Sequence, residues 1–179
     1  MFSFISTQKV KKFLFALFVL VLLAVFLIGC DTDSGSEPGS NTATTVPNGL
    51  QGDWHPDNEG GDWYKITSTT IANGYLEETN WAGDVRHFNM FNGTTGVIII
   101  ELTNFGEGMF AKDRAKPFTA VYFLNYTPNE SVELNGVSDS SAADWNADTA
   151  ILQSAIDRFT FDNMPNYMDI AWSTPYSRK

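Results

Sequence analysis

The residue types that most often carry out chemistry in proteins are scarce in this 179-residue chain. It has two histidines, His55 and His87, and a single cysteine, Cys30. The histidines lack the short spacing that brings two imidazoles onto one metal ion, and one cysteine excludes a disulfide framework or a multi-cysteine zinc site. The chain has neither a Gly-x-Ser-x-Gly elbow nor a glycine-rich phosphate loop before a helix. We therefore expect no bound metal, no cofactor and no enzymatic activity.

One group of oxygen ligands has a spacing that calcium sites use. Asp144, Asn146 and Asp148 stand at alternate positions, as in a calcium-binding loop. The pattern then fails, because Thr149 stands where an EF-hand loop needs glycine and Ala155 where it needs the bidentate glutamate. The favoured interpretation is that Asp148 or Thr149 caps a helix.

Paired carboxylates could serve acid–base hydrolysis. Glu101 is the one candidate that the pattern indicates, because it lies in an otherwise apolar strand, where a buried carboxylate must find a partner or stay neutral. The polar residues that follow it favour a position at the surface instead. Asp57, Glu59 and Asp62 surround a Gly-Gly pair, and we interpret them as a solvated turn.

The N-terminal segment has the pattern of an export signal. Residues 1–12 are polar and contain three lysines, and 16 apolar residues follow without interruption from Phe13 to Ile28. This run is short for a spanning helix, which needs about 20 apolar residues, and it suits the apolar region of a signal peptide. The alternative is an uncleaved membrane helix.

The end of that segment, Leu27-Ile28-Gly29-Cys30, resembles the lipobox of bacterial lipoproteins. The resemblance implies that residues 1–29 are removed as a signal peptide and that Cys30 carries acyl chains such as palmitate. Two or three chains anchor a protein durably, whereas one is marginal. We therefore expect a membrane-anchored lipoprotein of the bacterial cell envelope, on its periplasmic face or at the cell surface.

Charge excludes one class of partner. Residues 30–179 carry 8 basic against 21 acidic side chains, which gives a net charge of −13. Nucleic-acid affinity comes from neutralising phosphates with Lys and Arg, so nucleic acid is not an expected partner. Anionic lipid headgroups would repel such a domain as well. The membrane contact is therefore expected to come from the lipid anchor.

The sequence predicts a flexible tether and then one folded domain. Residues 30–49 comprise the lipidated cysteine and a stretch of small polar residues. From residue 50 to 176, aromatic and β-branched runs alternate with glycine and asparagine turns, of which Asn73-Gly74 is the clearest hairpin signal. Strands 97–102 and 118–125 are apolar on both faces, which indicates that both faces are covered.

Near the C-terminus, apolar residues recur at helical spacing and predict one helix over residues 148–158. Seven or eight antiparallel strands with one C-terminal helix suit a small β-barrel or a two-sheet sandwich. Gly52-Asp53-Trp54, at the start of the first strand, resembles the Gly-x-Trp of lipocalins, which implies a lipocalin-like barrel. That family has eight strands before its helix, whereas about seven are counted here. The chain also resembles small uncharacterised bacterial lipoproteins, which implies no activity.

The remaining candidates are large side chains of the β-domain. In a barrel with an open cavity we expect five of them to line a site for a small apolar or amphipathic ligand: Tyr64, Ile66, Phe88, Met90 and Tyr122. Alternatively, surface aromatics, Trp63 and Trp81, would contact carbohydrate or protein in an interaction or structural role at the envelope. We expect a non-enzymatic, monomeric binding protein, with the small ligand as the first hypothesis.

Overall fold

The computed structural model describes residues 41–57, 60–106, 114–142, 147–168 and 174–179. The signal segment, Cys30 and the first part of the tether lie outside these residues, as do Glu59, Asp144 and Asn146. Neither of the two helices in the described ranges is long and apolar enough to cross a membrane.

Nine antiparallel strands and two short helices make up the described chain. In chain order they are β1 (Asn41–Ala43), β2 (Gly52–Pro56), β3 (Asp62–Ile66), β4 (Thr70–Tyr75), β5 (Glu78–Met90), β6 (Gly96–Asn104), β7 (Phe118–Thr127), β8 (Ser131–Gly136), α1 (Leu152–Arg158), α2 (Met164–Tyr167) and β9 (Thr174–Arg178).

Strands β2 to β9 form a closed eight-stranded barrel. Each strand from β2 to β8 pairs with the next, and β9 closes the circle by pairing with both β8 and β2. This confirms the expected mainly β fold with a C-terminal helix, and closure decides for a barrel over a sandwich. Seven barrel strands precede the helices, as counted from the sequence, and the eighth follows them.

Two layers of apolar side chains explain why β6 and β7 are apolar on both faces. Ile98, Ile100 and Leu102 of β6 point into the barrel and join its interior core, whereas Val97 and Ile99 point outward. The outward residues pack with β7 and with buried residues of the C-terminal helical segment, chiefly Ala120, Tyr122, Ala155, Phe159 and Met168. The prediction that both faces are covered is therefore confirmed.

The segment before β2 closes one end of the barrel. β1 pairs with the last residues of β5, Phe88 to Met90. The side chains of Val46 and Leu50 are 2% and 0% exposed and belong to the interior core. The Val46 amide donates a hydrogen bond to the Ser68 carbonyl oxygen at 2.9 Å. The folded domain thus includes residues from 41 onward that were predicted as tether, and at its other boundary β9 extends to residue 178.

The Asn73-Gly74 pair is not a hairpin turn, contrary to the prediction. It lies inside β4, at an irregularity in the pairing with β5, and the turn falls two residues later at Leu76 and Glu77. A Cβ at Gly74 would overlap the Trp63 ring and the Glu78 carbonyl oxygen. Glycine is therefore needed at this position for close packing.

The helix also begins later than predicted. α1 starts at Leu152, and no side chain caps it. Thr149 instead pairs its backbone with Phe118 in an isolated bridge, with N···O distances of 3.0 and 2.8 Å. Its hydroxyl donates to the Ile151 carbonyl oxygen at 3.1 Å. The capping role expected of Asp148 or Thr149 is therefore wrong.

Candidate functional site

The strand order gives the barrel two different ends. The end where the chain enters, called the entry end below, carries residues 44–51 and the short turns around residues 67–69, 91–95 and 128–130. The opposite end, called the far end, carries the connections after β2, β4, β6 and β8. These connections include the long loops, and long loops on a rigid scaffold are where binding residues concentrate.

At the far end, three large side chains form a surface cluster called the aromatic tip below: Trp63, Tyr75 and Leu76. Tyr75 is 52% exposed and Leu76 is 66% exposed, whereas Trp63 is half-buried. The Trp63 indole Nε1 donates a hydrogen bond to the Leu76 carbonyl oxygen at 2.9 Å. The Leu76 amide donates to the Gly61 carbonyl oxygen at 2.7 Å. These two hydrogen bonds fix the backbone of Leu76, and thereby the turn from which the exposed side chains project.

The turn places Leu76 in an unusual backbone conformation. Its φ is 52°, in the left-handed region that favours glycine and asparagine. For other L-residues this region costs roughly 1–2 kcal/mol, because Cβ approaches the following carbonyl oxygen. A leucine here gains little by burial in exchange, since about two thirds of its side chain meets solvent.

Carboxylates surround the aromatic tip. Asp62 is paired with Tyr75 across β3 and β4, and Glu77 and Glu78 follow Leu76 directly; all three are exposed. The charge of Asp62 also reaches the interior: burial, and secondarily this carboxylate, raises the pKa of Tyr176 to about 12. The far end therefore combines exposed apolar surface with negative charge.

Four of the five residues predicted to line a ligand cavity do lie together. Tyr64, Ile66 and Phe88 belong to the interior core, and Met90 packs against it. Tyr122 does not join them, because it points to the outer face of β7, where its hydroxyl donates to the Thr160 carbonyl oxygen at 3.2 Å. Its placement follows from strand alternation, since the interior positions of β7 are Val121 and Phe123.

Side chains occupy the barrel interior. The rings of Phe88 and Phe123 stack with centroids 5.6 Å apart. Tyr64 meets Tyr176 edge-to-face at 5.4 Å and Trp81 at 6.2 Å. Burial raises the pKa of the Tyr64 hydroxyl above its usual range, with smaller contributions from Tyr176 and Asp62.

The two tryptophans predicted at the surface lie on opposite faces of the barrel wall. Trp63 is on the outside and belongs to the aromatic tip. Trp81 is 8% exposed and lies inside, against Tyr64, so its assignment as a surface aromatic is wrong. Trp81 shares the inner face of β5 with Phe88 because the pairing of β5 with β6 is irregular after Val85. Strict alternation along β5 would put these two side chains on opposite faces.

The candidate carboxylate Glu101 is a surface ion-pair partner. Its Oε2 accepts from both Nε and an Nη of Arg86 at 2.7 Å, and Asp84 lies 3.6 Å from the same guanidinium. The Glu101 side chain is 35% exposed. This arrangement has the form of a cross-strand salt bridge, in which Asp84 stands opposite Glu101 in the β5–β6 pairing and both carboxylates face one arginine.

The two histidines lie on different strands, His55 on β2 and His87 on β5. Within the described residues no group of three or more His, Cys, Asp or Glu side chains could hold an ion. Burial lowers the pKa of both His55 and His87, and for His55 the charge of Lys179 adds to the effect. Both imidazoles therefore favour the neutral form at pH 7.

No family model, curated protein or solved structure matches this chain. The residues that sequence reasoning missed are Tyr75 and Leu76. Two apolar residues directly before Glu77 and Glu78 are visible in the sequence, but a turn at Asn73-Gly74 predicts them at the start of the next strand and not at the tip of a turn. The aromatic tip is the site that the geometry singles out.

Proposed function

We propose that this chain is a bacterial lipoprotein, held in the cell envelope by acyl chains on Cys30, whose barrel binds a partner through the aromatic tip and catalyses no reaction. The observation that carries the proposal is the exposed Leu76 in a left-handed turn. A strained backbone and an exposed apolar side chain both work against folding. Their coincidence at one residue supports a role in contact with another molecule.

The filled interior favours this role over transport of a small ligand. A barrel that carries a ligand needs a cavity of roughly 300 Å³ or more. Such a cavity would leave its lining side chains accessible to water. Three of the predicted lining residues, Tyr64, Ile66 and Phe88, are instead 7%, 2% and 4% exposed, and aromatic rings pack against one another inside the barrel. The small-ligand hypothesis is therefore the less favoured one.

The position of the aromatic tip supports presentation to a partner. The chain arrives from the proposed anchor at the entry end, where Val46 and Leu50 close the barrel. The turn at Leu76 is at the far end. A barrel with a packed core and paired strands between these ends is a rigid spacer. A contact surface at the far end is thus separated from residues 44–51, which precede the first barrel strand.

The anchor can be tested independently of the contact. Cells that express the full chain would be labelled with radioactive palmitate, and the Cys30→Ser variant would serve as the comparison. We expect label on the wild type and none on the variant. Label that persists in the variant would contradict lipidation at Cys30.

The contact can be tested by site-specific photo-crosslinking in the producing bacterium. Benzoylphenylalanine would replace Leu76 in one variant and Phe161 in a control. Phe161 is also an exposed apolar residue, at 50%, but its ring meets that of Phe91, in an entry-end turn, with centroids 5.7 Å apart. We expect a discrete adduct from position 76 that is lost on adding Trp63→Ala, and none from position 161. Equal adduct patterns from both positions would refute the proposed contact surface.

A further inference from the structure

The chemistry around the aromatic tip defines what kind of partner fits it. Three exposed carboxylates, Asp62, Glu77 and Glu78, stand directly beside the exposed apolar side chains. The three ion pairs formed between described residues lie elsewhere: Lys65 with Asp53, and Arg86 with Asp84 and Glu101. The tip therefore presents negative charge that a partner can neutralise.

We propose that the partner of the aromatic tip is a basic, amphipathic polypeptide segment, whose apolar side chains cover Leu76 and Tyr75 and whose Lys or Arg side chains meet the three carboxylates. This inference rests on the proposed function and adds the chemical class of the partner. Aromatic faces such as those of Trp63 and Tyr75 also attract cations directly, which suits the same partner. Arg114, on the neighbouring loop, illustrates this preference because it lies 5.5 Å from the Phe105 ring centroid.

Other classes of partner fit less well. Nucleic acids, anionic lipids and acidic glycans are repelled by a net charge of −13 on residues 30–179. A neutral sugar could stack on Tyr75 or Trp63, but it would leave the aliphatic Leu76 uncovered. A simple metal cation would use the carboxylates and leave all the apolar surface uncovered. A polypeptide segment supplies both apolar and cationic groups at the spacing of side chains.

The test measures binding of a defined probe to the full chain in a non-ionic detergent. The probe is a short fluorescein-labelled amphipathic peptide of leucine and lysine, and a peptide of leucine and glutamate in the same order serves as its counterpart. Fluorescence anisotropy, with empty micelles as the blank, reports binding. We expect the Leu/Lys peptide to bind and the Leu/Glu peptide not to bind.

Two charge-reversal double variants distinguish an effect of the aromatic tip on peptide binding from an effect of the overall net charge. Glu77→Lys with Glu78→Lys changes the tip, and Asp157→Lys with Asp162→Lys makes the same change in net charge at exposed positions near α1. We expect the tip variant to weaken binding about tenfold or more and the control to change it less than about threefold. Equal weakening by both would show that the peptide responds only to overall charge, and would overturn the inference.

A second variant keeps the inference testable if charge reversal disturbs the hairpin. Leu76→Asn suits the left-handed backbone and removes the apolar contact, so we expect it to fold normally and to weaken peptide binding about tenfold. Unchanged binding would contradict the inference. If photo-crosslinking at position 76 succeeds while the peptide does not bind, the proposed function stands and only the partner class fails. If both fail, the contact surface itself is wrong.

Discussion

Comparing substitutions of Trp63 and Trp81 tests which of the two side chains points into the barrel and which points outward. They lie on adjacent parts of the same barrel wall but face opposite ways. Replacing Trp81, which is 8% exposed, by alanine leaves a large cavity in the core. Truncation of a buried aromatic in this way costs about 3–5 kcal/mol. We expect the Trp81→Ala variant to lose a large share of the domain's stability.

We expect the Trp63→Ala variant to lose much less stability. Trp63 is half-buried, packs over Gly74 and makes one hydrogen bond to the Leu76 carbonyl oxygen. A net hydrogen bond contributes about 1 kcal/mol, and partial packing adds a similar amount, so we expect a loss of about 1–2 kcal/mol. The two variants should therefore differ by about 2 kcal/mol, or roughly thirtyfold in the folding equilibrium.

Guanidinium unfolding of the full chain, followed by far-ultraviolet circular dichroism, measures both losses. Trp81→Phe serves as a milder variant if Trp81→Ala does not fold, and it should still lose more stability than the conservative Trp63→Phe. Equal losses at the two positions, or a larger loss at Trp63, would refute the assignment of Trp81 to the core and of Trp63 to the aromatic tip.

Four further expectations follow from the contacts. Leu76→Asn should change the free energy of unfolding by less than about 1 kcal/mol, since relief of the left-handed leucine offsets its lost contacts; a loss of several kcal/mol in a denaturant titration would show that Leu76 is a core residue. Val46→Asp should lower the melting temperature sharply, because it places a charge in a core position that is 2% exposed; a melting temperature within a few degrees of wild type would mean that residues 41–49 are only tether. Glu101→Gln should cost at most about 1 kcal/mol, as expected for a surface ion pair; a larger loss by calorimetry would contradict that position. The pKa of Tyr176 is raised to about 12 in the folded protein, so the stability it contributes is fully present below about pH 10 and is lost at about 1.4 kcal/mol per pH unit as pH rises from 10 to 12. Burial raises the pKa of Tyr64 and Tyr122 as well, so these tyrosines add to the total slope. Tyr176→Phe should lower the total slope by about 1.4 kcal/mol per pH unit, and an unchanged slope would argue against a raised pKa of Tyr176.

The barrel was predictable because its strands carry the expected periodicity. Apolar residues on both faces of the strand around Ile98 and Ile99 indicate a covered strand, and the structure confirms a core on one side and a helical layer on the other. The closure of the barrel could not be predicted from this periodicity. It depends on β9, a short strand that contains Pro175 and pairs with β2 and β8 far away in sequence.

The errors in the site have local physical causes. Asn73-Gly74 is a strong hairpin signal, but here the glycine serves the packing of the Trp63 ring and the turn falls on Leu76, which no propensity favours. Trp81 points inward together with Phe88 because β5 is irregular between Val85 and His87, which strict alternation does not anticipate. At the N-terminal side, Val46 is a single apolar residue among small polar ones, so composition indicates a tether although the side chain is buried.

The central claim, a lipid-anchored barrel that binds at its surface and not in its interior, is tested most directly by native mass spectrometry. The full chain would be purified from its own membranes without denaturation. The account predicts a mass of residues 30–179 plus the acyl groups on Cys30, with no further small molecule released on gentle activation. A stoichiometric apolar molecule that leaves on activation would contradict the filled interior and restore the ligand-carrying barrel.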